Sequence, residues 1–190
     1  MVRPVGRAEL LARGVSRRRL EGPTYRRTGY GLYVPASVAR VPVQRIAEAV
    51  AVLPAAATLS GWAAAYVFGV DWLDGRDPRS GQVQAVPVLL PPGLHRRSTE
   101  ELRYERATLA AGEIREILGL RLTAPARTPF DLARTAPDVA GAVVALDAML
   151  AAKVATPDLL VETASTYDRC RGARQLRRAV GLARRHVRSP

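Results

Sequence analysis

Apolar positions along the chain change period several times, and each change marks an element. Leu10, Leu11, Val15 and Leu20 lay an apolar stripe over two short helices, with Gly14 at the junction, where a turn of positive φ costs little. Ser16 is placed to cap the second helix. After Gly22-Pro23, the strand formers Thr24, Tyr25, Tyr30, Leu32, Tyr33 and Val34 surround a Thr28-Gly29 turn, which predicts a β-ribbon ending at Pro35. Its tyrosines are expected to pack the ribbon on the helices. Two helices and a ribbon outline a truncated winged helix, because too few residues precede Ser16 for the third helix of a complete one. The missing helix must come from the middle of the chain, from a dimer partner, or not at all.

Val43 to Leu53 again shows helical spacing, and Leu59 to Gly69 reads as a short buried helix with Ser60 as its cap and Gly69 closing it. Gln82 to Leu90 predicts a strand. Leu102 to Tyr104, Glu113 to Leu118 and Leu120 to Thr123 predict three more, together a small antiparallel sheet. From Thr128 the pattern is helical. Thr128-Pro129-Phe130-Asp131 reads as a capping box with Pro at the first helical position and Asp in place of Glu; Thr156-Pro157-Asp158 repeats the theme. Another helix is expected from about Asp138 to Leu150. In the last helix Leu176, Val180, Ala183 and Val187 form one stripe, with Arg177, Arg178, Arg184 and Arg185 off it. The expected class is therefore α+β: a truncated winged-helix module over residues 1–40, then a mixed domain over 41–190 with a small antiparallel sheet and C-terminal helices.

Charge sharpens this outline. The chain carries a net +12, yet residues 1–30 hold +6 and residues 165–190 hold +7, leaving −1 for everything between. GC-rich codon usage accounts for Arg in place of Lys, but not for clustering at the two ends. Clustered cations gain affinity for nucleic acid by releasing counterions. Arg17, Arg18 and Arg19 follow Ser16 directly, at the helix end where the macrodipole disfavours each cation by roughly 0.3–1 kcal/mol. In helix-turn-helix docking these positions face base edges and phosphates, so duplex DNA would offset the repulsion. Arg26 and Arg27 on the ribbon would reach phosphates or the minor groove. Arg13, Arg177, Arg178, Arg184 and Arg185 would be auxiliary contacts.

Catalytic constellations are absent from the sequence. Ser60 lacks a nucleophile elbow, and Asp71, Asp74 and Asp77 do not have the spacing of a calcium loop. Asp131 and Asp147 could be imagined as a carboxylate pair, but capping already accounts for Asp131. The two histidines, His95 and His186, have no metal-ligand spacing, and no glycine loop cradles phosphate. No enzyme activity, metal or cofactor is expected. A single cysteine, Cys170, excludes an internal disulfide and suits a reducing cytoplasm. The most apolar run, residues 49–57, is too short for a membrane span and is broken by Pro54. A cytoplasmic protein without membrane contact is expected.

The order of segments resembles a bacterial family related to the AbiEi-type antitoxins of type IV toxin–antitoxin systems. The likeness rests on Ala8 to Leu20 (with Ala8 displaced from the family spacing), Gly31-Leu32-Tyr33-Val34-Pro35, Leu59 to Ala65 and Leu120 to Ala133. It continues through Leu146 to Leu150 and Gly172 to Ala179. Its most specific phrase is Thr123-x-Pro125-x-Arg127-Thr128-x-x-Asp131-Leu132-Ala133, which the residues themselves explain as a strand exit and a helix cap. In many similar proteins a nuclease domain of the very-short-patch-repair type follows, whereas this sequence stops at Ser189-Pro190. The resemblance implies a non-enzymatic antitoxin or transcriptional regulator that binds double-stranded DNA and represses its own promoter. It also implies a functional link to a nucleotidyltransferase-like toxin without stable binding. The alternatives are the non-catalytic targeting region of a nuclease-related protein, or a module that meets RNA or an acidic protein surface. A symmetric operator would call for a homodimer, although no heptad seam marks its interface.

Overall fold

The computed structural model describes residues 1–29 and 31–188, with the side chains of 184–188 outside the described set. The chain divides into two compact units, Met1–Ala55 and Ala56–Pro190.

The first unit runs β1 (Val5–Gly6), α1 (Arg7–Ala12), α2 (Arg17–Glu21), β2 (Tyr25–Gly29), β3 (Leu32–Pro35) and α3 (Pro42–Val50). Gly14 takes the positive φ its turn needs, 83°, and Ser16 Oγ accepts from the Arg19 amide at 3.3 Å, as the sequence predicts. The strands form an antiparallel sheet ordered β1-β3-β2. The ribbon does not turn at Thr28-Gly29, since both residues belong to β2. Thr28 is only 6 % exposed and still belongs to β2, the register shifts between Arg27 and Gly29, and Gly31 takes a φ of 81°. Leu10, Leu20 and Tyr33 form the core, with Val5, Leu11, Val15 and Tyr25 packed around them, so two of the tyrosines do pack the ribbon on the helices. The Tyr30 reading lies outside the described residues.

The division between units falls after Ala55, later than the expected boundary at residue 40. Side chains of α3 explain why. Gln44 exchanges hydrogen bonds with the backbone of Val2 at 2.7 and 2.8 Å, and Glu48 holds Arg26 on β2. A third helix of this unit thus comes after the ribbon rather than before it.

The second unit runs β4 (Thr58–Leu59), α4 (Gly61–Val67), β5 (Val86–Leu90), β6 (Leu102–Arg106), a 3-10 turn (Ala111–Glu113), β7 (Ile114–Ile117) and β8 (Leu120–Thr123). Four helices follow: α5 (Thr128–Thr135), α6 (Val139–Ala151), α7 (Pro157–Thr166) and α8 (Ala173–Arg188). The α+β class is as expected, but this five-stranded sheet is mixed. Its order is β6-β5-β4-β8-β7, with β5–β6 and β4–β8 parallel and the other two pairings antiparallel. The long connection between β5 and β6 returns the chain to the starting end of the sheet, so β6 runs parallel where a tight hairpin would have made it antiparallel. The two-residue β4 sits at the centre without a sequence signal of its own. Val83, in the expected first half of β5, makes only an isolated bridge to Arg76.

Helix starts at Asp138 and Thr156 are as read from the sequence: Asp138 Oδ1 accepts from the Gly141 amide at 2.7 Å and Thr156 Oγ1 from the Leu159 amide at 3.1 Å. Ser60 occupies the cap position of α4 without a side-chain cap bond. Leu59, Leu89 and Leu122 from the sheet join Leu146, Met149, Leu160 and Leu176 from the helices as fully buried side chains. On α8, Leu176, Val180 and Ala183 are buried as the stripe predicts, and Val187 lies outside the described side chains. Among the described residues no helix is long and apolar enough to cross a membrane.

Candidate nucleic-acid interface

Arg17, Arg18 and Arg19 occupy the start of α2, and all three are exposed. Among the described residues no side chain partners their guanidinium groups, and no acidic residue stands in the first turn of α2. Three cations thus crowd the start of a five-residue helix with no acidic side chain among the described residues to offset them.

The two ribbon arginines part company. Side chains alternate across a strand, so Arg26 and Arg27 face opposite sides of β2. Arg27 shares the face of Tyr25, which packs toward the α1–α2 core, and it is exposed with no side-chain partner among the described residues. Arg26 meets Glu48 of α3 in a bidentate pair, Nη1 to Oε2 at 2.9 Å and Nη2 to Oε1 at 2.7 Å, with only 21 % and 7 % of the two side chains exposed. Burial alone would raise the Glu48 carboxyl. Hydrogen bonds from Arg26 and Gln44, with the Arg26 charge, outweigh that and hold it below the usual glutamate range. Arg26 therefore fastens α3 to the ribbon. Its charge is neutralised within the fold, unlike that of Arg27. Arg13 pairs with Glu9 one helical turn away, and Arg7 with Glu21; both pairs are exposed. Such surface pairs are worth about 0–1 kcal/mol and yield easily to a phosphate.

In the second unit Arg174, Arg177 and Arg178 stand exposed on α8, off its buried stripe, and Arg169 and Arg171 are exposed at the approach to the same helix. The readings on Arg184 and Arg185 fall outside the described side chains.

A different arginine, Arg127, stands just before the Thr128-Pro129-Phe130-Asp131 stretch whose spacing predicts a capping box. The structure corrects that reading. Arg127 takes the N-cap position, and Thr128 is already helical, its Oγ1 hydrogen-bonded 3.0 Å from the carbonyls of Thr123 and Ala124. Thr128 ties the helix back to the end of β8 rather than capping it. Asp131 is 1 % exposed and accepts from Arg127 Nε at 3.1 Å, from its Nη2 at 3.3 Å and from Arg134 Nε at 3.0 Å. Arg127 Nη1 donates to Glu113 Oε1 at 2.8 Å, the same oxygen that receives the Tyr167 hydroxyl, while Arg134 also bonds Glu105. Phe130 and Tyr167 stack with centroids 4.4 Å apart, and the Arg127 guanidinium lies 5.0 Å from each ring centre. Burial would raise Glu113, but bonds from Tyr167, the Ala110 amide and Arg127 bring it below its ordinary value. Burial and the neighbouring Glu113 raise Tyr167. These bonds join β6, the 3-10 turn, α5 and the end of α7 as a structural knot.

The acidic loop is also structural. Asp77 Oδ1 accepts from the amides of Arg79 and Ser80 at 3.0 and 2.8 Å, and Asp74 Oδ1 from the Arg76 amide at 2.9 Å. Among the described residues no three His, Cys, Asp or Glu side chains group as metal ligands.

A comparison with curated proteins finds no match. A family model does match, described as the AbiEi antitoxin C-terminal domain and covering residues 49–183. The matched stretch holds the mixed sheet and the arginine knot, and leaves the exposed arginines of α2 and β2 outside it. With well over half of its length in that match, the chain belongs to the AbiEi antitoxin family.

Proposed function

We propose that this antitoxin of a type IV system binds double-stranded DNA through its N-terminal unit, acting as a truncated winged helix, and represses its own promoter. The carrying observation is the set Arg17, Arg18, Arg19 and Arg27: four exposed guanidinium groups on α2 and the adjoining ribbon, free of acidic partners among the described residues. In this mode α2 presents its first turn to the major groove, and Arg27 reaches the flanking backbone. Phosphates supply the negative charge that the start of α2 lacks. The exposed arginines of α8 add auxiliary contacts. The protein works in the cytoplasm without catalysis, and its link to a nucleotidyltransferase-like toxin needs no stable complex.

Fluorescence anisotropy on the DNA upstream of the gene and on a scrambled duplex, across a salt series, tests this reading. Preferential binding of the upstream DNA is expected. Replacing Arg17, Arg18 and Arg19 by Ala should flatten the slope of log affinity against log salt by about 3, close to one per lost phosphate contact. Equal affinity for both duplexes, or tighter binding to single-stranded RNA, would overturn it.

A further inference from the structure

The exposed faces of α7 and α8 carry opposite charge. On α7, Asp158 and Glu162 stand exposed one helical turn apart, with Asp168 exposed just past its end, and on α8 Arg174 and Arg177 are spaced and exposed in the same way. The two helices pack together, yet among the described residues none of these five side chains makes an ion pair. Between the acidic and the basic ridge runs a groove floored by Val161, Ala164, Val180 and Gly181, with Asp168 lining it from the α7 side and Arg177 from α8. Gly181 lies in the middle of α8, where glycine weakens a helix relative to alanine, and a Cβ added there would meet nothing within 4 Å. Packing within the chain therefore does not call for glycine at this position. A second surface lying close over the groove does.

We propose that this surface is the interface of a homodimer, in which the groove of each copy closes on that of the other about a two-fold axis running along it. A two-fold interface brings one patch onto itself, so the patch must be self-complementary. An axis along the groove lays the acidic ridge of each copy on the basic ridge of its partner. An axis across the groove would stack acid on acid and base on base, which like-charge repulsion opposes. Charge thus selects the first arrangement, and it gives every unpaired ridge a counter-charge. Gly181 and Ala164 let the opposed backbones approach, and the apolar floor becomes the dry centre of a charged rim. The pairing does not rest on DNA binding: Arg169, Arg171 and Arg178 lie off the groove and stay available to phosphate.

Sedimentation equilibrium of the full chain over a concentration series, at one salt concentration and without DNA, tests this independently of the DNA-binding reading. The wild type should be a dimer. A variant with Arg174→Glu and Arg177→Glu carries two acidic ridges, and one with Asp158→Arg and Glu162→Arg carries two basic ones. Each alone should dimerise at least about 100-fold more weakly, since like charges then face each other. Mixed in equal amounts, the two variants should pair again with an affinity near that of the wild type. All four positions are exposed, so circular dichroism should show unchanged helix content. Gly181→Gln should also keep the fold and weaken the dimer, by filling space that the partner needs. A wild type that stays monomeric, variants that dimerise as the wild type does, or a mixture that fails to pair would overturn the proposal. So would a protein that pairs only when duplex DNA is added, which would assign the basic ridge of α8 to phosphate.

Discussion

Two carboxylates with similar surroundings carry different parts of the molecule. Asp131, 1 % exposed, sits between Arg127 and Arg134. Asp131→Ala would leave the Arg127 guanidinium buried without its main counter-charge, and thermal or urea denaturation should show a loss of about 3–5 kcal/mol. Glu48 holds Arg26, and the contrast between adjacent arginines follows from it. Arg26→Ala should lower the melting temperature of the protein, whereas Arg27→Ala should leave it unchanged and weaken DNA binding. Glu48 and Glu113 both have lowered pKa values in the fold. Their stabilisation is fully present above the ordinary glutamate range and disappears as the pH falls through the lowered values, because the unfolded chain takes up protons first. Stability measured against pH should therefore drop on the acid side, and Glu48→Gln should flatten that limb. The charge pattern in the sequence identified Arg26 and Arg27 alike as cations. Strand alternation placed them on opposite faces, and only the packing of α3 put an acid on one of those faces.

At the scale of elements, the helix starts legible in the sequence are those whose capping bond is local. Ser16, Asp138 and Thr156 each accept an amide three residues ahead, an interaction that sequence spacing alone specifies. Thr156→Ala should cost about 1 kcal/mol in the same denaturation assay. Thr128 misled because its partners lie on the preceding strand exit, beyond the reach of a capping rule. Strand β4 was invisible for a related reason: two residues carry no periodicity, and the element exists only because β5 and β8 flank it. Gly172 is another residue set by packing. It has a φ of 96°, and a Cβ there would overlap the Arg134 side chain on α5. Gly172→Ala should destabilise by about 2–4 kcal/mol, detectable as an earlier urea midpoint, since strain and overpacking add.

Over the whole molecule the segregation of charge is the dominant fact. The basic ends flank a middle that is close to neutral, and among the described residues the acidic groups of that middle are largely engaged with arginines or turns. If Arg17, Arg18, Arg19 and Arg27 each neutralise one phosphate, affinity for duplex DNA should fall roughly 100-fold between 50 and 200 mM salt. A near-flat salt response in a titration would show that these charges do not meet phosphate. The family match begins at residue 49, at the end of α3, so the matched stretch and the exposed arginines of α2 and β2 lie on different parts of the chain.

The sequence by itself determined what depends on neighbours along the chain: the α+β class, most helix starts, the buried stripe of α8, the clustering of arginines and the family likeness. Periodicity, capping and composition act over a few residues, and those distances are written in the order of the amino acids. The tertiary structure alone decided which charges remain free. Arg26 is neutralised by a helix twenty-two residues away, Arg127 by the 3-10 turn and its own helix, and Arg17, Arg18, Arg19 and Arg27 by nothing among the described residues. It also decided the mixed sheet and the groove between α7 and α8. Ion pairs, parallel strand pairing and concave surfaces form between residues far apart in sequence, and local pattern carries no information about which distant groups the fold brings within reach.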